Sequence, residues 1–167
     1  MSFTVSHIID TDVDGLWQLF FDLDLARAML QEFGNMGSFE VVEERVDENG
    51  LRHRTVECRS NVELPDFIKN LVGDGSYTEV GCFDSKQKTY RAQCVPKVGA
   101  SRFKSSFQVT ARPVDDGKRC ERQILVDNSI KMFGLGGMLE QALERAQRDA
   151  HEQSAKFINK WLASRRG

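Results

Sequence analysis

Apolar residues recur at two different spacings along this chain, and the points where the spacing changes mark out its elements. Near the C-terminus the spacing is helical. From Gly134 to Ala163, the residues Leu139, Leu143, Ala146, Ala150, Phe157, Ile158, Trp161 and Leu162 return at three- and four-residue steps. This predicts one long amphipathic helix entered through Gly134, Gly136 and Gly137. Glu140 and Glu144 near its start and Lys156, Lys160, Arg165 and Arg166 near its end match the helix dipole. The stripe is small in the middle: Ala142, Ala146, Ala150 and Ser154 stand where a helix laid on a sheet would present Leu or Ile. Either a neighbouring element approaches closely there, or space is left for a ligand.

Upstream, most of the chain alternates with a period of two. Phe3, Val5, His7 and Ile9 predict a first strand, and Thr11 with Asp14 gives a capping-box-like start to a short helix that buries Val13, Leu16, Trp17 and Phe20. A second short helix places Leu25, Ala26, Met29, Leu30 and Phe33 on one side and stops at Gly34. Residues 39–46 and 51–60 form a hairpin turned by Asp47-Glu48-Asn49-Gly50; the second arm is so charged that one of its faces must meet water. An apolar insert at 64–73, begun by Pro65 near the first helical position, reads either as a plug or as a lid. Strands follow at 77–84, 89–95, 102–114 and 118–130. One strand, two short helices, six antiparallel strands and a long helix predict an α+β domain over residues 1–167, a bent antiparallel sheet of about seven strands wrapped around the C-terminal helix.

Composition narrows the chemistry. A net charge of −2 over 167 residues argues against a nucleic-acid partner, which needs a clustered basic surface. Between Asp10 and Glu48 the only basic residues are Arg27 and Arg45, which reads as a solvated acidic face. Cys58, Cys82, Cys94 and Cys120 form no CxxC pair and have no histidine at ligand spacing, so neither a disulfide framework nor a metal site is expected, and free thiols in a cytoplasm are the default. No window is apolar enough to span a membrane. His7, His53 and His151 lack a partner at catalytic spacing, so no catalytic residue is predicted, and no cofactor. The glycines at 134, 136 and 137 lack the Lys-Ser/Thr of a phosphate loop and read as a flexible lead into the helix.

The element order resembles the helix-grip superfamily of START-like and polyketide-cyclase (SRPBCC) domains. The local carriers are Thr11 to Phe20, Val62-Glu63-Leu64-Pro65, Phe133 to Glu140 and the ending Phe157 to Ala163. Within the superfamily the chain looks most like an uncharacterised bacterial START-like family. Ser76-Tyr77-Thr78-Glu79, with the strand ending Cys94-Val95-Pro96, is also reminiscent of VASt sterol-binding domains. The resemblance implies an apolar cavity between sheet and helix, holding a lipid, sterol-like or polyketide ligand, in a carrier or sensor or in a cyclase-like enzyme. Such a cavity is expected against Phe21, Phe33, Phe103, Phe107, Val109, Ile124 and Val126 from the body and Leu143, Ala146 and Ala150 from the helix, unless these residues simply pack as core. Arg122 and Asn128 are in phase with Ile124 and Val126, so a regular strand points them inward, and a bulge would turn them out. Arg122 is expected either to pair with Glu79 or Glu57 or to anchor a ligand. Met132, Phe133, Leu135 and Met138 form a second apolar loop that, with the 64–73 insert, could gate one end and touch a membrane transiently. Oligomeric state is left open.

Overall fold

The structure is a computed structural model that describes residues 1–33, 36–60 and 66–166. The seven strands are β1 (Ser2–Ile9), β2 (Met36–Val46), β3 (Leu51–Ser60), β4 (Tyr77–Asp84), β5 (Thr89–Pro96), β6 (Phe103–Val114) and β7 (Arg119–Ile130). The helices are α1 (Val13–Phe20), α2 (Leu23–Phe33), α3 (Asp66–Val72) and α4 (Gly136–Arg166). Predicted and observed strands agree to within a few residues. Gly34, Leu64 and Pro65, expected to stop α2 and to open the insert, lie outside the described residues. The cap of α1 differs from expectation. Asp12, not Thr11, accepts the backbone N–H of Gly15 at 2.7 Å, and Asp14 pairs with Lys88 rather than closing a capping box.

All strands pair antiparallel in one sheet of order β1-β7-β6-β5-β4-β3-β2. Because successive residues face opposite sides, register alone decides what lines the inner face. One row of cross-strand neighbours runs Val5, Ile124, Val109, Tyr90, Phe83 and Arg52. The next runs Phe3, Val126, Phe107, Ala92, Gly81 and Arg54, and a third Asn128, Ser105, Cys94, Glu79 and Val56. Arg52 and Arg54 therefore face inward, which answers the question that the charge of the 51–60 arm raises.

Two apolar clusters hold the sheet to the helices. Trp17 of α1 enters the first, among Phe3, Val5, Tyr90, Val109, Ile124 and Val126, with Phe20, Phe21 and Phe83 packed against it. The second joins Ile9 and Cys120 to Leu16 and Leu25 and to Ala155 and Ile158 of α4. The second lies at the end of the sheet where α1 and α2 lie, and the first fills the middle of the inner face beside it. At the opposite end emerge α3, the β5–β6 loop and the loop leading into α4; Lys131 N–H donates to the Arg102 carbonyl at 2.7 Å, which ties the last two together.

Inner and outer positions on the same strand should therefore respond differently to truncation. Ile124→Ala should cost about 2–5 kcal/mol, whereas Leu125→Ala, on the exposed face, should stay within about 0.5 kcal/mol. Urea unfolding of the two variants measures both, and equal losses would mean that the register is wrong.

Candidate functional site: the concave face beneath the C-terminal helix

The helix does not cover the sheet evenly. It packs on β1, β7 and α2, and much of that contact is polar. Arg122 on β7, 6% exposed, donates to Ser154 Oγ at 3.2 Å and to the His151 carbonyl at 3.1 Å, and its guanidinium also lies 3.3 Å from His7 Nδ1. Asn128, fully buried, donates to Gln147 Oε1 at 2.6 Å and accepts from Ser105 Oγ at 2.7 Å. Glu140 accepts the Ile130 N–H, and Asn159 bonds the backbone of Ile8 and Asp10. These bonds satisfy buried groups that would otherwise be costly, with Arg122 Nε left without a partner among the described residues. They also fix which side of α4 meets the sheet.

That side matches the predicted stripe at Ser154 and Ile158 and departs from it in the first half of the helix. The contact line runs through Gln147, His151, Ser154, Ala155 and Ile158, and Arg148, Glu152 and Asn159 lie toward β1. Ala146 and Ala150 are exposed and Leu143 is half-buried. At 100° per residue these three fall on the flank facing away from β1, toward the central strands. The shift follows from Arg122 and Asn128: two buried polar side chains on β7 need polar partners, and on α4 the Gln147, His151 and Ser154 line supplies them. Arg122 itself pairs with neither Glu79 nor Glu57; Glu57 bonds Lys97 and Thr78 instead.

Beneath the free flank lies the inner face of β3 to β6, with a polar group at its centre. Glu79 accepts a hydrogen bond from the Tyr90 hydroxyl at 2.6 Å and lies 3.6 Å from the Arg54 guanidinium. Gly81 makes this possible, since a Cβ there would fall 1.8 Å from the Tyr90 hydroxyl oxygen. Arg54, 5% exposed, is framed by the rings of Phe20, Phe21, Phe39 and Tyr90 at 5.2 to 5.8 Å, and among the described residues its Nε has no partner. Next to the group stand Tyr77, Cys58 and Cys94. Burial pushes the Cys58 thiol up to about 11 and the Cys94 thiol up to about 12, and raises Tyr77 and Tyr90 well above the usual phenol range. All four keep their protons at neutral pH.

Tyr77, Cys94, Phe103 and Phe107 nevertheless remain only half-buried, although they sit on the inner face. Of the other expected lining residues, Val109, Ile124 and Val126 are sealed in the core, Phe21 stacks under the Arg52 guanidinium at 3.8 Å, and Phe33 packs on Phe157. Sequence reasoning missed Arg54, Tyr77, Tyr90, Cys58 and Cys94. The in-phase alternation of Arg52, Arg54, Val56 and Cys58 was the available signal for the β3 pair. Two shallow open hollows, of about 480 and 390 Å³, are lined mainly by convex-face residues, Val80, Cys82, Gln93 and Leu125 in the first and Val95, Lys104 and Asp127 in the second; Ala92 and Phe107 also border the first, Cys94 and Phe103 the second, and neither contains Arg54, Glu79 or Tyr90, the polar group that makes the concave face the candidate site.

An open antiparallel sheet gripping a long C-terminal helix, with a partly uncovered inner face, is the helix-grip architecture of START-like domains. Solved structures agree. A protein of Thermus thermophilus, TTHA0849, matches with a TM-score of 0.68 at 12% identity over 100% of both chains. The Zhui aromatase/cyclase of Streptomyces sp. R1128 matches at 0.64 and 12% identity over 97% of this chain and 95% of its own, and a START superfamily protein of Mycobacterium smegmatis at 0.61 and 11% over 98% and 97%. No curated protein matches the chain. The chain belongs to the family described as Protein of unknown function (DUF2505), whose model matches residues 4–162.

Two outcomes follow from the site. Glu79→Leu should cost about 3–5 kcal/mol by stranding the Arg54 charge, and adding Arg54→Met should recover most of it; full additivity in urea unfolding would refute the pairing. Burial, then the Arg122 charge and then His7, hold His151 down to about 4, and burial with Arg122 lowers His7 too. A histidine depressed in the folded state contributes stability that is complete above pH 6.5 and lost as pH falls toward about 4. Stability should therefore decline across that window and His151→Gln should flatten the decline; an unchanged slope would contradict the assignment.

Proposed function

We propose that this protein is a single START-like domain that binds a hydrophobic small molecule, as a carrier or sensor, in the space between the inner face of β4 to β6 and the flank of α4. The observation that carries this is the uncovered surface of Phe103, Phe107, Tyr77 and Cys94 beneath a helix held aside on β1 and β7. Phe103, Phe107 and Ala92 supply apolar walls, with Leu143, Ala146 and Ala150 on the helix side. A ligand burying about 300 Å² of apolar surface there gains on the order of 7 kcal/mol before binding costs. Protonated Tyr77 offers a hydrogen-bond donor to a carbonyl or hydroxyl on an otherwise apolar molecule, so a lipid, a sterol-like compound or a polyketide fits the chemistry.

A cyclase-type enzyme is the alternative. It is favoured by the Glu79 and Tyr90 pair, a carboxylate and a phenol 2.6 Å apart at the centre of the face, and by the aromatase/cyclase among the structural neighbours. A binder retains its cargo through purification, whereas an enzyme releases its product.

Native purification followed by organic extraction and mass spectrometry should release one hydrophobic compound in near-equimolar amount. Leu143→Arg on the helix flank should empty the protein, and Leu125→Arg on the convex face should leave it loaded. An extract empty from the wild type would overturn the carrier assignment in favour of an enzyme or of an interaction protein with a filled pocket.

A further inference from the structure

The two halves of α4 are held to the sheet in different ways. In the C-terminal half Ala155 and Ile158 are buried in an apolar cluster, and among the described residues of α4 only these two are buried. The first half is held by polar bonds: Glu140 to the Ile130 N–H, Gln147 to Asn128, and the group around Arg122, while Leu139 and Leu143 are only half-buried. Segments with few buried apolar contacts are the ones that open first. At the middle of this seam stand Arg122 from β7, His7 from β1 and His151 from α4. A guanidinium only donates, so His7 Nδ1 accepts from Arg122 at 3.3 Å, and the ring carries its proton on Nε2, which faces Glu152 at 3.1 Å.

Arg122 is 6% exposed, and among the described residues no carboxylate pairs with it. The other charged and titratable groups around the seam do not offset it. On α4, Glu152 is 52% exposed and shared with Lys156 at 3.3 Å, and Arg148 pairs with Glu144 and reaches the Thr4 carbonyl. On β7, burial keeps the Cys120 thiol protonated, and Asp12 on its side of the sheet is bound to the Gly15 N–H at the cap of α1. Asp10, at the end of β1, pairs with Arg119, and on α2 Asp24, Arg27 and Glu32 are exposed. A proton added to His7 or His151 is therefore a second positive charge beside a buried, uncompensated one. At His7 it also occupies the nitrogen that accepts the Arg122 bond.

We infer that Arg122, His7 and His151 form an acid-sensitive clasp, whose protonation frees the first half of α4 from the sheet while Ala155 and Ile158 hold the second half in place. Burial and the Arg122 charge lower both histidines, His151 to about 4, so the closed clasp resists a proton that the open one, with histidines near 6.5, takes up. The closed form is therefore favoured fully above pH 6.5 and loses ground as pH falls toward about 4. Opening uncovers the concave face, so a cargo held against Leu143, Ala146 and Ala150 is released in acidic surroundings. Only that consequence rests on the proposed binding function; the clasp itself involves no ligand, so either can fail alone.

Hydrogen exchange with mass spectrometry on ligand-free protein reads the clasp directly. After correction for intrinsic exchange, protection of residues 138–150 should fall at least tenfold between about pH 7 and about pH 5, relative to residues 155–163 and to β4 to β6. His7→Gln with His151→Gln should remove most of that fall, since glutamine accepts a hydrogen bond but does not titrate. In the wild type the imidazole resonances of both histidines should titrate below the usual 6.5. Protection lost equally in all segments would mean that acid unfolds the whole domain, and protection at 138–150 that holds down to about pH 5 would mean that the clasp stays shut. Either result overturns the proposal, as would a fall that persists in the folded double variant or a histidine titrating at 6.5 or above.

Discussion

Two polar residues on one strand set the geometry of this protein. Arg122 and Asn128 face inward on β7, where neither can remain without partners, and α4 is the element that reaches them. Each bond is worth only about 1 kcal/mol in net stability, but leaving either group unpaired beneath the helix would cost more. The helix is thereby rotated so that Gln147, His151 and Ser154 meet the sheet, and displaced toward β1 and β7. Apolar packing alone does not demand this arrangement, because Ala155 and Ile158 secure only the C-terminal half of α4.

What the helix leaves uncovered acquires its character from the opposite edge of the sheet. β3 contributes Arg54 and β4 contributes Glu79, and Tyr90 on β5 leans across Gly81 to reach the same carboxylate. Buried charge is tolerated there because it is paired and framed by aromatic rings. The neighbouring phenols and thiols are protonated at neutral pH, and burial moves them further from ionisation, which leaves an apolar surface with a few hydrogen-bond donors. One end of this surface is closed by Trp17, Phe20 and Phe21 stacked on Phe83 and Tyr90, and α3, the β5–β6 loop and the loop into α4 lie at the other.

Much of this was legible in the sequence. The switch between periods of two and of three to four located all seven strands, and alternation along β6 and β7 placed Phe107, Val109, Ile124 and Val126 inward together with Arg122 and Asn128. The facing of α4 was not legible, since its Ala142, Ala146 and Ala150 line and its Gln147, His151 and Ser154 line are both plausible seams until the partners on β7 are seen. Glu79 and Glu57 were both open as partners of Arg122 for the same reason: which arginine lies across from a carboxylate depends on strand order, and alternation within one strand carries no information about it. Charge in the 51–60 arm hid Arg54, whose burial makes sense only beside Glu79 and the rings of α1.

The central claim is that the inner face is an accessible space. Alkylation rates of Cys94 on that face and of Cys82 on the convex face, followed by intact mass spectrometry in delipidated protein with and without a saturating uncharged naphthylamine dye, test it most directly. The account predicts that the dye slows modification at Cys94 and leaves Cys82 unchanged. Equal rates with and without dye at both thiols would show that the concave face is closed core, and would contradict it.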